Sequence, residues 1–366
     1  MTDTSKNKSN EPLIRTVKRA ELPKKKIFLL RLAAFVLALL AGGIFILLIG
    51  FNPIKIYQTM VAGAFRSELA IQGTVKLMIP LLITSLGVTL AFKMKFWNIG
   101  AEGQLIMGGV FASYFALFHS DWPHWLLIIV MILAGMIGGG LTGLLPAFFK
   151  ARYNTNETLF TLMLNYIALN IVVFLREGPW RDPKSKGYAK IARFDKNAML
   201  DKVNGVHSGW IIAIIILVIV FIYLRYTKQG YEISVVGESQ ATASYAGMNV
   251  KKIILRTMFF SGAICGVAGM AEVSGSAVTL TTGIAGGVGF TAIIVAWIAQ
   301  LNPIGIFVAS LLFSVMEKGS GVVESTYGLS EASADVLQGI ILFLVIGCEF
   351  FIRYQFVLRS KGGTKA

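Results

Sequence analysis

The chain has 366 residues, 55% of them hydrophobic and only 14% charged. A soluble domain carries about 25% charged residues, so a water-exposed fold would leave large apolar patches at its surface and is excluded. The net charge of +15 does not mark a nucleic-acid groove. Its basic residues lie at the ends of apolar runs, as they do on the cytoplasmic face of a membrane protein.

A polar tail, residues 1–26, carries Lys24, Lys25 and Lys26 just before the first apolar run. That run, Ile27–Gly50, is longer than a signal-peptide core and lacks a small-x-small cleavage pattern, so it reads as a retained helix. About 20 apolar residues cross the hydrocarbon core. Further spans are predicted at 74–92, 101–118, 125–149, 157–175, 208–226 and 253–275, with a last one at 335–352. Between 277 and 317 the apolar pattern is interrupted by GIAGGVG (283–289) and by Asn302-Pro303, which predicts a broken span at 277–301 and a shorter one at 304–317. The fold class is therefore an all-α integral membrane protein of about ten transmembrane helices. The transmembrane domain covers 27–352, and 353–366 form a second polar tail.

With both tails in the cytoplasm, the larger share of the 34 basic residues falls inside. The loop 176–207 is then external. It runs against the rule, because basic residues such as Arg181, Lys184, Lys186 and Lys190 outnumber its acidic ones.

Gly135, Gly139 and Gly143 form a GxxxGxxxG ladder, and Gly262 and Gly266 a second pair, a spacing that lets helix backbones approach closely in lipid. GIAGGVG is too glycine-dense for a continuous helix. Irregular backbone at membrane depth must be shielded by protein or line a water-filled path, so Gly286, Gly287 and Gly289 are candidates for a translocation route. Asn98, Glu102 and Gln104 open one span; Glu157 opens another, with Asn165 deeper in it. Each reads either as capping and interhelical hydrogen bonding or as lining of a solute path; Trp97 reads as an interfacial anchor. Glu272 and Glu349, near the ends of other spans, read either as reaching the interface or as members of a proton relay. Cys265 and Cys348 read as apolar packing residues, and His119, His124 and His207 fall in external regions.

The segment 230–252 is amphipathic, cytoplasmic and too polar to cross. Gly237 and Gly247 bracket the small-residue run SQATASYA, with Glu238 beside it, which suits docking in a partner's groove. GxxxxGK[ST], HExxH and GxSxG are all absent from the sequence, so no catalytic or metal site is expected and any ATP hydrolysis belongs to another subunit.

FWNIGAEGQ (96–104), NETLFTLMLNYIA (156–168), VVGESQATASYAGMNVKKI (235–253), SGAICGVAGM (261–270) and GFTAIIVAWIAQLNPIGI (289–306) occur in an order that resembles ABC-importer permeases of the branched-chain amino acid, ribose and nucleoside superfamily, in its nucleoside or "simple sugar" branch. The resemblance implies a prokaryotic plasma-membrane importer of nucleosides, with a sugar as the alternative solute. It implies four partners in function: a second related permease, a double-headed cytosolic ATPase holding ATP-Mg, an extracellular substrate-binding lipoprotein and the membrane lipids. No cofactor is expected on this chain. Gly237, Glu238, Ala241, Ala243, Ala246 and Gly247 would form the coupling helix that meets the ATPase. An ion-coupled secondary transporter or channel is the rival reading, motivated by the intramembrane carboxylates and the broken span.

Overall fold

The computed structural model describes residues 14–18, 23–329 and 354–358, with scattered positions between 332 and 352. The span expected at 335–352, and Glu349 in it, lie largely outside the described residues. The chain forms two compact units, one of residues 1–58 with 329–366 and the other of residues 59–328.

In the first unit, β1 (Ile14–Lys18) pairs antiparallel with β4 (Tyr354–Leu358), Ile14 opposite Leu358. Helix α1 (Lys24–Leu48) follows, and the chain turns into α2 (Pro53–Phe65), a short helix that hydropathy alone does not predict. Tyr57 donates its hydroxyl proton to the Leu39 carbonyl oxygen at 2.8 Å, tying the two helices.

The second unit holds the remaining helices: α3 (Glu68–Lys93), α4 (Ala101–Phe118), α5 (His124–Tyr153), α6 (Glu157–Glu177), α7 (Gly209–Tyr226), α8 (Lys228–Glu238), α9 (Gln240–Tyr245), α10 (Val250–Ala271), α11 (Val288–Ile298) and α12 (Pro303–Tyr327). A π-helical turn, Glu272–Ser276, prolongs α10. Among the described residues seven helices are long and apolar enough to cross a membrane, or eight if a bent α1–α2 pair counts as one. Local signals set their ends. Ser67, Asn156, Asn249 and Asn302 each accept a first-turn backbone N–H, and Asn154 and Gly328 end α5 and α12 in the left-handed region. The apolar pattern predicts α12 as 304–317; the helix continues to Tyr327 because Glu317 and Glu324 sit on its exposed side and cost no burial.

Helices α3, α4 and α10 are largely buried, whereas α6 and α7 present most of their surface outward. The glycine ladders explain the tight centre. Gly135 and Gly139 of α5 lie on the backbone of Gly266 and Gly262 of α10, and Gly108 of α4 lies against Gly266 from another side. Lipid supplies no hydrophobic drive between helices, so close backbone contact must supply the cohesion.

The connection 178–208 folds over the α3–α10 end opposite α8 and α9. Ile191, Phe194, Ala198, Leu200 and Val206 are buried in the main core, and the Phe194 and Leu200 N–H groups donate to the Val278 and Ser274 carbonyls, each at 3.0 Å. A two-residue hairpin, β2 (Lys202–Val203) and β3 (Val206–His207), places His207 inside. Its Nε2 lies 3.2 Å from Ser276 Oγ. Burial first, and the Lys76 charge second, push the imidazole down from 6.5 to about 4. Between those values the unfolded chain binds the proton and the folded one does not, so stability falls as pH drops from 6.5 towards 4. The loss expected from this residue is about 3 kcal/mol. His207→Gln, neutral throughout, should show a smaller decrease in Tm between pH 7 and pH 4.5 than the wild type in the same detergent; an equal decrease would refute the assignment.

Candidate functional site

Three features of the second unit make up the candidate site, two at membrane depth and one at the end of α3 that α8 covers. The first is an irregular segment, Met94–Gly100, between α3 and α4, with Lys95 in the left-handed region. It lies at depth, because Asn98 Nδ2 approaches Ser261 Oγ at 3.5 Å, and Ser261 stands near the middle of the 27-residue helix Val250–Ser276. Non-helical backbone there needs protein partners, and polar side chains supply them. Asn98 and Gln104 exchange two amide hydrogen bonds at 3.1 Å, and Asn98 Oδ1 also accepts from the Gly100 N–H at 3.0 Å. Asn165 Oδ1 accepts from the Gly103 N–H at 2.8 Å, and its Nδ2 donates to the Ile99 carbonyl at 2.9 Å. Thr161 Oγ1 accepts from the Ile99 N–H at 3.2 Å.

Asn98, Gln104 and Asn165 are thus buried and bonded within the chain, splinting an irregular loop to α6 and α10. Asn165→Leu would strand a buried N–H and a half-buried C=O, costing about 2–6 kcal/mol at about 1–3 kcal/mol per unsatisfied group. Detergent melting should show it, and a Tm within a degree of wild type would contradict the splint.

The second feature is the broken span. After the π turn the chain runs without helix from Ala277 to Gly287, then enters α11. Eleven residues rise ~16 Å, half of a ~30 Å hydrocarbon core, so loop and short helix divide the depth between them. Thr279 Oγ1 reaches the Ile191 and Ala192 carbonyls at 3.2 Å, anchoring one end. At the other, Glu102 accepts from the Gly287 N–H on Oε1 at 2.9 Å and from the Gly289 N–H on Oε2 at 2.6 Å. Gly286 and Gly287 have φ of +51° and +81°, a turn that L side chains rarely adopt.

Two elements here have no counterpart in the sequence reading. Trp297 near the end of α11 joins Phe92 and Trp97 in a triangle of rings, each pair 5.7 Å apart, with Trp97 and Trp297 stacked. The Trp spacing of 200 positions carries no local signal. Glu317, Gly321 and Glu324 are all exposed on α12 and share one helical face by their three- and four-residue spacing. Carboxylates on an outward face of a crossing helix suit water or another protein chain better than lipid.

The third feature is the segment 228–250. The run 237–247 is not one helix: Ser239, in extended conformation, ends α8 and caps α9, its Oγ accepting from the Thr242 N–H at 3.2 Å. Gly237 lies against the Lys93 carbonyl, and Arg256 Nη2 donates to Glu232 Oε2 at 2.8 Å, fixing α8 to α3 and α10. Ile233, Val236 and Ala243 are buried with Met94, Phe96, Ile254 and Met258. Glu238, Ala241, Ala246 and Gly247 are exposed, and Tyr245 is 97% exposed.

Residues 70–346 match the family described as branched-chain amino acid transport system / permease component. The chain is 32% identical to the nucleoside ABC transporter permease protein NupB of Lactococcus lactis, over 88% of this chain and 91% of that one. It is 29% identical to the guanosine ABC transporter permease protein NupP of Bacillus subtilis, covering 92% and 98%. It is also 29% identical to the glucose ABC transporter permease protein TsgB13 of Haloferax volcanii, covering 87% of each chain.

Proposed function

Belonging to the branched-chain amino acid transport system permease family, this chain is an ABC transporter permease subunit, and we propose that it imports nucleosides by alternating access driven by a separate ATPase. The observation that carries this is the α8–α9 segment, whose inner face is packed into the helix bundle and whose outer face, with Glu238, Ala241, Ser244 and Tyr245, is open. Two of the relatives are named for nucleosides or guanosine and one for glucose, so a sugar is the second choice of solute.

In this reading α8 and α9 lie in the cytoplasm, with both termini, and α9 enters a groove of the ATPase, which holds the ATP-Mg. Its motion reaches α8, which bears on the Lys93 carbonyl through Gly237, and then the irregular segment 94–100 that begins one residue later. That segment leads to Glu102 and so to α11. ATP can drive this only by favouring one arrangement over the other. Glu317, Gly321 and Glu324 would face the water-filled interior between this chain and a second permease. The external loop, with Arg181, Lys184, Lys186 and Lys190, would meet an acidic face of the substrate-binding lipoprotein.

Glu272 and Glu317 favour one other reading, an ion-coupled transporter working alone. Purification from membranes under mild detergent separates the two. Stoichiometric recovery of an ATPase and a second permease, with ATP-dependent nucleoside uptake after reconstitution, is the expected result. Uptake by this chain alone on an ion gradient would overturn it.

A further inference from the structure

We propose that Glu102 is a positioning residue for transport: a mid-membrane latch whose carboxylate holds the start of α11 closed and is released in each cycle. The proposal rests on the permease reading and adds to it the element that moves and the group that holds it.

Both carboxylate oxygens are engaged by one short stretch, through the Gly287 N–H at 2.9 Å and the Gly289 N–H at 2.6 Å. Charge-assisted pairs of this kind are strong and directional. The carboxylate stands in the first turn of α4 and at the N-terminus of α11, so the positive ends of two helices offset its burial. Three glycines make the geometry possible. Gly286 and Gly287 supply the left-handed turn that aims the N–H groups, and Gly289 leaves no side chain between α11 and the backbone of Glu102.

Next to this point the span is pinned by Ile284 and Ala285, buried in the main core, and open on either side of them. Gly283 and Gly286 are exposed, as is Thr281, and a methyl group at Gly283 or Gly287 would meet nothing within 4 Å. A short helix with a glycine hinge at one end, bonded there through a single side chain, can swing when that side chain lets go. At its other end Trp297 rests on Phe92 near the end of α3 and on Trp97 within the α3–α4 connection. The α3–α4 connection and the first turn of α4 that follows it therefore touch the two ends of α11, and their displacement would loosen the latch and the ring stack together.

The test uses the whole importer in liposomes, with Cys265→Ala and Cys348→Ala as background and Ala292→Cys as reporter, a fully buried position three residues beyond the latch. A membrane-impermeant maleimide reads its accessibility. In the resting wild-type background labelling should be slow and should change with ATP. Glu102→Gln offers an acceptor to one N–H and an NH2 group to the other, so labelling should rise at least tenfold and lose its response to ATP, while uptake drops at least tenfold. Glu102→Asp, a carboxylate one carbon too short, should fall between. Labelling and uptake within twofold of wild type in Glu102→Gln would overturn the latch. So would a loss of protein with unchanged labelling of what survives, the mark of a static staple. If Glu102→Gln does not assemble, Glu102→Asp decides by the same readings. Absence of ATP-driven uptake in the wild-type complex would sink the importer reading instead, and labelling of the chain alone would still decide whether Glu102 holds α11.

Discussion

Ala241→Arg is expected to stop ATP-driven uptake while leaving the permease folded. Ala241 is exposed on α9, the six-residue helix whose buried side chain is Ala243. Nothing in the chain depends on the small size of residue 241, so arginine there costs the fold little. In the proposed ATPase groove the same change adds a long charged side chain beside Gln240, Thr242, Ser244 and Tyr245. Interfaces concentrate their energy in a few central positions, and a clash at one of them should weaken docking by about 3 kcal/mol, or roughly 100-fold. Uptake and substrate-stimulated ATP hydrolysis should fall together, with the Tm of the isolated permease unchanged. Tyr245→Ala, at the most exposed side chain of α9, should weaken docking in the same direction. Normal uptake with Ala241→Arg would remove α9 from the coupling path.

How far these features were legible depends on whether their signal is local. The transmembrane character, most spans and the break at GIAGGVG follow from runs and periods inside a few turns. So does the polar segment 230–252, although Ser239-Gln240-Ala241-Thr242 carries an N-cap signature that divides 237–247 into the end of α8 and a separate α9. Distance in sequence hides the rest. Asn98, Gln104 and Asn165 are visible as polar residues in apolar runs, but their periodicity cannot distinguish the lining of a path from a splint for the neighbouring loop. The bonds from Asn165 to Gly103 and Ile99 exist only once α6 packs beside α4. The partner of GIAGGVG, Glu102, is likewise separated from it by most of the bundle. Helix α12 was cut short for a different reason: hydropathy ends at Glu317-Lys318, whereas a helix ends where its hydrogen bonds and caps end, at Gly328.

The glycine ladder supports the other large effect. Gly266→Val should abolish accumulation of folded protein. A side chain at 266 would run into the Gly135 carbonyl, and the Cα of Gly266 itself already fills the place of any side chain on Gly108. Ordinary overpacking costs about 1–3 kcal/mol because neighbouring side chains can shift. Here the obstacles are backbone atoms of α5, at Gly135 and Gly139, which cannot move without pulling that helix away from α10. Separating them would also loosen Gly139 from Gly262, one register step along the same contact. The cost should therefore exceed ~3 kcal/mol, a large share of the 5–15 kcal/mol by which native proteins are held. Gly321→Ala on α12 is the matched control: it lies in a helix, and a methyl group there meets nothing within 4 Å. Size-exclusion profiles of tagged variants from the same membranes should show a monodisperse peak for Gly321→Ala and none for Gly266→Val. A normal peak for Gly266→Val would mean that α5 and α10 are not held by backbone contact, and the packing described for the centre of the bundle would have to be abandoned.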